Sequence, residues 1–142
     1  MVVTSAAFGD GEPIPLRHAC TNQGGEGASP PLAWSGVPDG ATSLVLVVHD
    51  PDAPLPGGFT HLVTEFPLDT SEVADGANQS GSGPMTAWIG PCPPSGEHRY
   101  TFTLYAFGPD VELPADADKT AVDAVASEAI ATSVVTGLFA KQ

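Results

Sequence analysis

Short apolar runs separated by glycine and proline dominate the chain and predict a mostly β protein. The run at residues 42–48 consists of β-branched residues, leucine and a single serine, which is typical of a central strand buried on both faces. From Tyr100 to Phe107 apolar and polar residues alternate, which predicts a strand with one buried face. Further strands are predicted at residues 2–8, 61–66 and 134–139.

One helix is predicted late in the chain. Asp116 or Asp118 can cap its first turn, and apolar residues between 122 and 129 recur at helical spacing. Residues 69–87 are rich in Ser, Gly, Asp and Ala and predict a long surface loop. Because no repeat or linker is visible, we expect one domain over residues 1–142, of the mostly β (α+β) class, with antiparallel strands and a C-terminal helix.

The composition excludes disorder and nucleic-acid binding. Hydrophobic residues make up 42% of the 142 residues, which is enough apolar surface for a folded core. The 17 acidic residues outnumber the 4 Lys and Arg, so the formal net charge is −13. So few cations cannot neutralise the phosphates of DNA or RNA, and they form no polybasic patch for stable membrane association.

The N-terminus and the cysteines bear on the compartment. Residues 1–5 lack the basic segment and following apolar segment of a secretory signal, and the longest apolar run, 44–48, is too short to span a bilayer. We therefore expect a cytoplasmic protein. In that compartment Cys20 and Cys92 are expected as free thiols, although a disulfide between them stays open.

The segment 50–54 carries two carboxylates directly after the predicted central strand. Asp50 and Asp52 are each followed within two residues by a proline, which stiffens the loop. Two carboxylates this close raise each other's pKa unless each finds a partner. A pair of turn-capping aspartates is the simpler interpretation.

The segment 90–100 combines a proline-rich loop with the start of a strand. Alternation places His98 and Tyr100 on one face of that strand and Arg99 on the other. His98 and Tyr100 are therefore suited to hold an anionic group, while Arg99 can pair with a carboxylate such as Asp52.

A further candidate is His61, at the start of a strand just after two glycines. A lone histidine in such a place is more often a surface or satisfied residue than a ligand. With His98 and Asp50 it also fits a 2-His-1-carboxylate metal site, but spacing alone supports this weakly. We expect no metal and no cofactor.

Four motifs stand in the order found in a known family. They are Ser29-Pro30-Pro31-Leu32-Ala33-Trp34, then residues 50–54, then Gly58-Phe59-Thr60-His61, then residues 90–100. From about residue 8 to its end the chain resembles the phosphatidylethanolamine-binding protein family, in its bacterial and archaeal Raf-kinase-inhibitor-like branch. The resemblance implies packed antiparallel sheets with C-terminal helical structure.

The resemblance also implies a small pocket that accepts phosphate or a phospholipid head group. The residues that it assigns to that pocket are Asp50, Pro51, Pro54, His61, Trp88, Gly90, Pro91, His98 and Tyr100. Asp52 and Arg99 are expected to brace the loops. An anion beside Asp50 requires shared protons, so binding should tighten as His61 and His98 become protonated.

Several positions depart from the family pattern, and we expect them near the mouth of the pocket. Leu62 stands where the family usually has Trp, and Glu65-Phe66 where it often has Tyr-Asn. Trp88-Ile89 replaces an aromatic residue and a glycine before the Gly-Pro-Cys-Pro-Pro stretch. Two additional histidines, His18 and His49, belong to the same set.

Three classes of function follow from these residues. The favoured one is a non-enzymatic module that binds an anionic or polar small molecule. The alternative is a cofactor-independent cyclase, isomerase or dehydratase acting on a small carbonyl compound, with Asp50, His61 and His98 as acid and base groups and Tyr100 holding an oxyanion. The resemblance also allows a kinase or protease inhibitor, for which no motif is visible, and a homodimer.

Overall fold

The strands form two sheets in the computed structural model, which describes residues 1–77, 82–85 and 87–142, with the backbone alone at 82–85. The strands are β1 (Val2–Thr4), β2 (Glu12–Pro13), β3 (Leu32–Ser35), β4 (Ser43–Asp50), β5 (Phe59–Phe66), β6 (Glu72–Val73), β7 (Ser82–Met85), β8 (Glu97–Phe107) and β9 (Ala131–Ala140). The larger sheet has the order β2-β9-β8-β4-β5-β7, and the smaller one the order β1-β3-β6. All pairs are antiparallel except β2 with β9.

The centre of the larger sheet is β4, which pairs with β5 on one side and β8 on the other. Leu44, Leu46 and Val48 on one face share a core with Trp34 of the smaller sheet. Val45 and Val47 on the other face belong to a second cluster, under the helix. The prediction of a strand buried on both faces is therefore confirmed, because each face is covered by a different layer.

The helix α1 (Lys119–Val125) is short and covers that second cluster. The Asp118 side chain caps it by accepting a hydrogen bond from the Ala121 N–H at 2.9 Å. Val122 is fully buried and anchors the helix to the sheet. The predicted fold class, mostly β with a C-terminal helix, is confirmed, and of the two candidate caps Asp118 is the one used.

Several element bounds differ from the predictions because strand pairing depends on partners distant in sequence. β1 ends at Thr4 rather than at residue 8, and β9 begins at Ala131, opposite Ala106 of β8. The predicted loop at 69–87 contains β6 and β7, which pair with β3 and β5. Residues 78–81 and 86 of that loop lie outside the described residues.

Cys20 and Cys92 form a disulfide, so the expectation of free thiols is wrong. The bridge joins two loops 72 residues apart in sequence, with Cα atoms 5.5 Å apart. The Cys20 N–H also donates to the Pro91 carbonyl at 3.0 Å, so the same loops are joined by their backbones. Spacing along the chain does not reveal such a contact.

None of the helices described has the length and apolar character that a bilayer crossing requires.

Candidate ligand-binding site

A cavity of about 340 Å³ opens at one end of the central strands of the larger sheet, where β4 ends and β5 and β8 begin. Because β4 is antiparallel to both neighbours, residues from three separate segments meet at this end of the strands. The lining residues are Asp50, Ala53, Pro54, Leu55, Phe59, His61, Ile89, Gly90, Cys92, Pro93, Pro94, His98 and Tyr100. The volume lies at the low end of the range for small-molecule sites.

The β4–β5 pairing contains a β-bulge near the end of β4. Val48 pairs with Leu62 and His49 pairs with Thr60, which leaves His61 as the extra residue. Bulges re-aim a side chain next to many binding sites. The strand pattern of the sequence gave no sign of this irregularity.

Asp50 and His98 form a buried pair at the floor of the cavity. The His98 Nδ1–H donates to Asp50 Oδ2 at 2.7 Å, and the Asp52 backbone N–H donates to Asp50 Oδ1 at 2.8 Å. Both carboxylate oxygens therefore have partners within the protein. Because Asp50 fixes Nδ1, the Nε2 atom of His98 is the one that can exchange a proton with a ligand.

Asp52 is held away from the cavity by Arg99, as the alternation of β8 predicts. The guanidinium donates to both carboxylate oxygens, at 2.8 and 2.9 Å, and the Arg99 backbone N–H adds a third bond at 2.9 Å. The hydrogen bonds from the Arg99 side chain are the main cause that lowers the pKa of Asp52 to about 2. The two aspartates of this loop therefore have separate partners.

His61 is buried and lies against aromatic rings. Its Nδ1–H donates to the Ile89 carbonyl at 2.5 Å, and since a carbonyl only accepts, Nδ1 carries the proton. Burial lowers the pKa of His61 below its usual 6.5, so the ring is neutral at pH 7. Its Nε2 atom is then unprotonated. The rings of Phe59 and Tyr100 meet it edge-on, at centroid distances of 4.9 and 5.2 Å.

The Tyr100 hydroxyl is buried and lacks a hydrogen-bond partner among the described residues. Burial, and then the nearby Asp50 carboxylate, raise the pKa of Tyr100 well above 10. That carboxylate raises the pKa both by its charge and as a neighbouring acceptor for the hydroxyl, yet the hydroxyl does not complete a well-aligned hydrogen bond to it. A buried hydroxyl without a partner is uncommon in native proteins, and this one belongs to the wall of a cavity.

Two glycines allow the loops to approach closely enough to form the cavity. At Gly58, with φ of +81°, a Cβ atom would collide with the Asp50 carbonyl oxygen. At Gly90 it would collide with the His18 carbonyl oxygen. Both positions therefore require glycine on steric grounds.

The structure brings most, but not all, of the predicted pocket residues together. Asp50, Pro54, His61, Gly90, His98 and Tyr100 line the cavity. Pro51 is exposed beside it and Pro91 is buried behind the wall. Trp88 does not line the cavity. Its ring stacks on Phe102 with centroids 6.0 Å apart, and its indole N–H donates to the His18 carbonyl at 3.0 Å.

Part of the apolar wall comes from residues outside the predicted set. These residues are Ala53, Leu55, Phe59, Cys92, Pro93 and Pro94. The available signal was their position, since each lies inside or next to one of the motif segments.

The residues that depart from the family pattern were expected near the mouth of the pocket. Of these residues, only Ile89 lines the cavity. His18 is buried, and its Nδ1–H donates to the Ala28 carbonyl at 2.9 Å. The His49 Nε2–H donates to the Gly57 carbonyl at 2.7 Å, and Nδ1 accepts from the Thr60 hydroxyl at 3.1 Å. The other departures lie in the core or on the surface: Leu62 and Phe66 are buried, and Glu65 is exposed.

Over the part of the chain that the structure describes, no group of three His, Cys, Asp or Glu side chains has the arrangement to hold a metal ion. His61 and His98 have their Nδ1 atoms engaged by a carbonyl and a carboxylate. Asp50, His61 and His98 as arranged here therefore do not form a 2-His-1-carboxylate site.

Comparison with known proteins identifies the family. A family model described as phosphatidylethanolamine-binding protein matches residues 4–140. The UPF0098 protein of Methanothermobacter thermautotrophicus is 38% identical over 153 aligned residues that cover 98% of each chain. The Mycobacterium tuberculosis protein named "Putative lipoprotein LppC" is also 38% identical, over 98% of this chain and 72% of its own.

Two solved structures are similar over nearly the whole chain. YbcL of Escherichia coli, described as a new member of the mammalian PEBP family, has a TM-score of 0.84 at 28% identity and covers 99% of this chain and 98% of its own. A phosphatidylethanolamine-binding protein homologue of Chlamydia trachomatis has a TM-score of 0.84 at 35% identity, with 99% and 97% covered. The chain thus belongs to the phosphatidylethanolamine-binding protein family, and the resemblance seen in the motifs is confirmed.

Proposed function

We propose that the protein binds a small molecule through an acidic or anionic head, such as a phosphate group, without catalysing a reaction. The observation that carries the proposal is the Tyr100 hydroxyl, which is buried in a cavity wall with no partner within the described chain. Such a group costs about 1–3 kcal/mol of stability unless a ligand accepts its hydrogen bond. Because the hydroxyl is fully covered in the free protein, a ligand oxygen would accept that bond after a small shift of the cavity wall.

The head group would be held by one neutral side-chain donor, the Tyr100 hydroxyl, and by shared protons. Arg17 pairs with Glu26 and Asp75, and Arg99 pairs with Asp52, so neither of these two cations is available to the cavity. Tyr100 donates through its hydroxyl, while His61 and His98 donate through Nε2 only when protonated. Binding of an anion next to Asp50 should therefore take up protons and tighten as the pH falls.

The net charge of −13 opposes an anion at long range, and Asp50 opposes it inside the cavity. At physiological ionic strength charges separated by more than about 8 Å are largely screened. Contacts inside the cavity therefore decide the affinity, and the head group need not be fully charged when it enters.

Isothermal titration with inorganic phosphate and with phosphoethanolamine at pH 6 and pH 8 tests this function. We expect binding that is stronger at pH 6 and is lost in His98→Ala. His49→Gln is the matched control, because His49 lies outside the cavity lining and glutamine can still donate to the Gly57 carbonyl. Absence of binding at millimolar concentration at both pH values would refute the proposal.

A second candidate function is acid–base catalysis, favoured by the Asp50–His98 pair. A histidine oriented by a buried carboxylate at 2.7 Å is the usual arrangement of a general base, and the Tyr100 hydroxyl could stabilise an oxyanion. A cyclase, isomerase or dehydratase acting on a small carbonyl compound would use these groups. If such a substrate turns over, Asp50→Asn should abolish turnover, and equal turnover by the variant would exclude this function.

Cytoplasmic localisation stays a prediction, and two observations weigh against it. Disulfides such as Cys20–Cys92 are rare in a reducing cytoplasm, and the relative LppC is named as a lipoprotein. Alkylating free thiols in intact cells before lysis would decide the localisation, because a cytoplasmic protein should be modified at both cysteines.

The homodimer likewise stays a prediction, which sedimentation velocity can test.

A further inference from the structure

The polar side chains of the cavity lie next to one another, and the other lining side chains are apolar. Asp50, His61, His98 and Tyr100 supply the polar atoms, and the remaining lining residues are proline, alanine, glycine, half-cystine and large apolar side chains. Leu55 and Ile89 are 54% and 45% exposed although they line the cavity. Apolar side chains open to solvent at a cavity wall can be covered by an apolar part of a ligand.

The cavity is larger than a simple anion requires. At about 30 Å³ of liquid volume per water molecule, 340 Å³ corresponds to roughly eleven waters. A tetrahedral ion with five heavy atoms would fill only part of that space. The lining also provides the large apolar side chains of Leu55, Phe59 and Ile89.

The wall offers little to a positively charged substituent. Asp50 is the acidic residue among the lining residues, and both of its oxygens are already bonded, to His98 and to the Asp52 backbone. An ammonium group beside the head would lose hydration against apolar side chains, and it would find only a carboxylate that already shares its charge with two donors. An uncharged alkyl group in the same place would gain from burial.

We propose that this site selects a short monoester or acid with an uncharged apolar substituent over a zwitterionic head group such as phosphoethanolamine. The inference rests on the proposed function, since it assumes that the polar side of the cavity binds the head. Leu55 and Ile89 are its specificity-determining residues. The substituent lies between them and Phe59.

The test is isothermal titration at pH 6 with inorganic phosphate and with methyl, ethyl, n-propyl and n-butyl phosphate. Each buried methylene should tighten binding about threefold to fourfold. The comparison of n-propyl phosphate with phosphoethanolamine is isosteric, because a methyl group replaces the ammonium group, and we expect the propyl ester to bind about tenfold more tightly.

Leu55→Ser should weaken the butyl ester much more than it weakens inorganic phosphate, so that the ratio of the two affinities falls. Leu68→Ser is the matched control, because Leu68 is 47% exposed and lies outside the cavity lining. If phosphate binds but the alkyl series is flat, or if phosphoethanolamine binds as well as the propyl ester, the selectivity is refuted and the proposed function stands. If neither phosphate nor any ester binds, both are refuted.

Discussion

Replacing Tyr100 by phenylalanine should make the protein more stable and a poorer binder. The substitution removes one hydroxyl and keeps the ring, which is fully buried and lies 5.2 Å from the ring of His61 and 6.5 Å from that of His98 between centroids. Because the hydroxyl has no partner among the described residues, its removal breaks no hydrogen bond seen in the structure. It relieves the cost of burying an unpaired polar group.

The size of the effect follows from that cost. An unsatisfied buried hydroxyl costs about 1–3 kcal/mol, and we expect Tyr100→Phe to recover about 1 kcal/mol of the free energy of unfolding. For a chain of this length that corresponds to a rise in Tm of about 4 °C. Phosphate affinity should fall, because the hydroxyl is the one neutral side-chain donor of the site.

Urea denaturation without phosphate measures the stability, and titration with phosphate measures the affinity. Tyr105→Phe is the matched control, since Tyr105 is half-buried on the opposite face of the same strand, and it should change neither quantity by much. A loss of 1 kcal/mol or more in Tyr100→Phe would show that the hydroxyl is hydrogen-bonded in the free protein and would refute the reasoning.

Three further predictions concern the disulfide and two titrating groups. Serine at both Cys20 and Cys92 should lower the free energy of unfolding by about 4 kcal/mol, because the disulfide closes a loop between residues 72 positions apart and so restricts the unfolded chain. A loss below about 1 kcal/mol in urea denaturation would contradict this. Because burial lowers the pKa of His61 below 6.5, the unfolded chain takes up its proton first, so stability should fall as the pH drops below 6.5. His61→Asn, which can still donate to the Ile89 carbonyl, should flatten that slope, and an unchanged slope would argue against a buried neutral ring. The Asp52 carboxyl should titrate near 2 by carbon NMR and return toward 3.8 in Arg99→Gln, and a midpoint near 3.8 in the wild type would count against the ion pair.

The central part of the fold could be predicted because local pattern and tertiary environment agree there. The apolar run of β4 has one face against the smaller sheet and the other under α1, which is the arrangement that a continuous apolar strand needs. In β8, alternation correctly placed His98 and Tyr100 together and Arg99 on the opposite face. Asp118 could be predicted as a cap because the contact that it makes is local.

The rest depends on contacts between distant segments, which a single sequence does not specify. The disulfide joins two loops that are 72 residues apart in sequence and become neighbours only in the folded protein. The bulge at His61 is a property of the β4–β5 register, and β7 forms because β5 offers it an edge. Trp88 was assigned to the pocket by motif position, yet its ring packs against the core and its indole N–H is used by the His18 carbonyl.

A phosphate titration followed by NMR of the histidine ring nitrogens would show directly whether the cavity binds an anion. The chain has 4 histidines, of which His61 and His98 line the cavity while His18 and His49 do not. We expect phosphate to shift the Nε2 resonances of His61 and His98 with one common affinity and to leave those of His18 and His49 unchanged. Shifts that are equal at all four rings, or absent at the two cavity rings, would contradict this expectation.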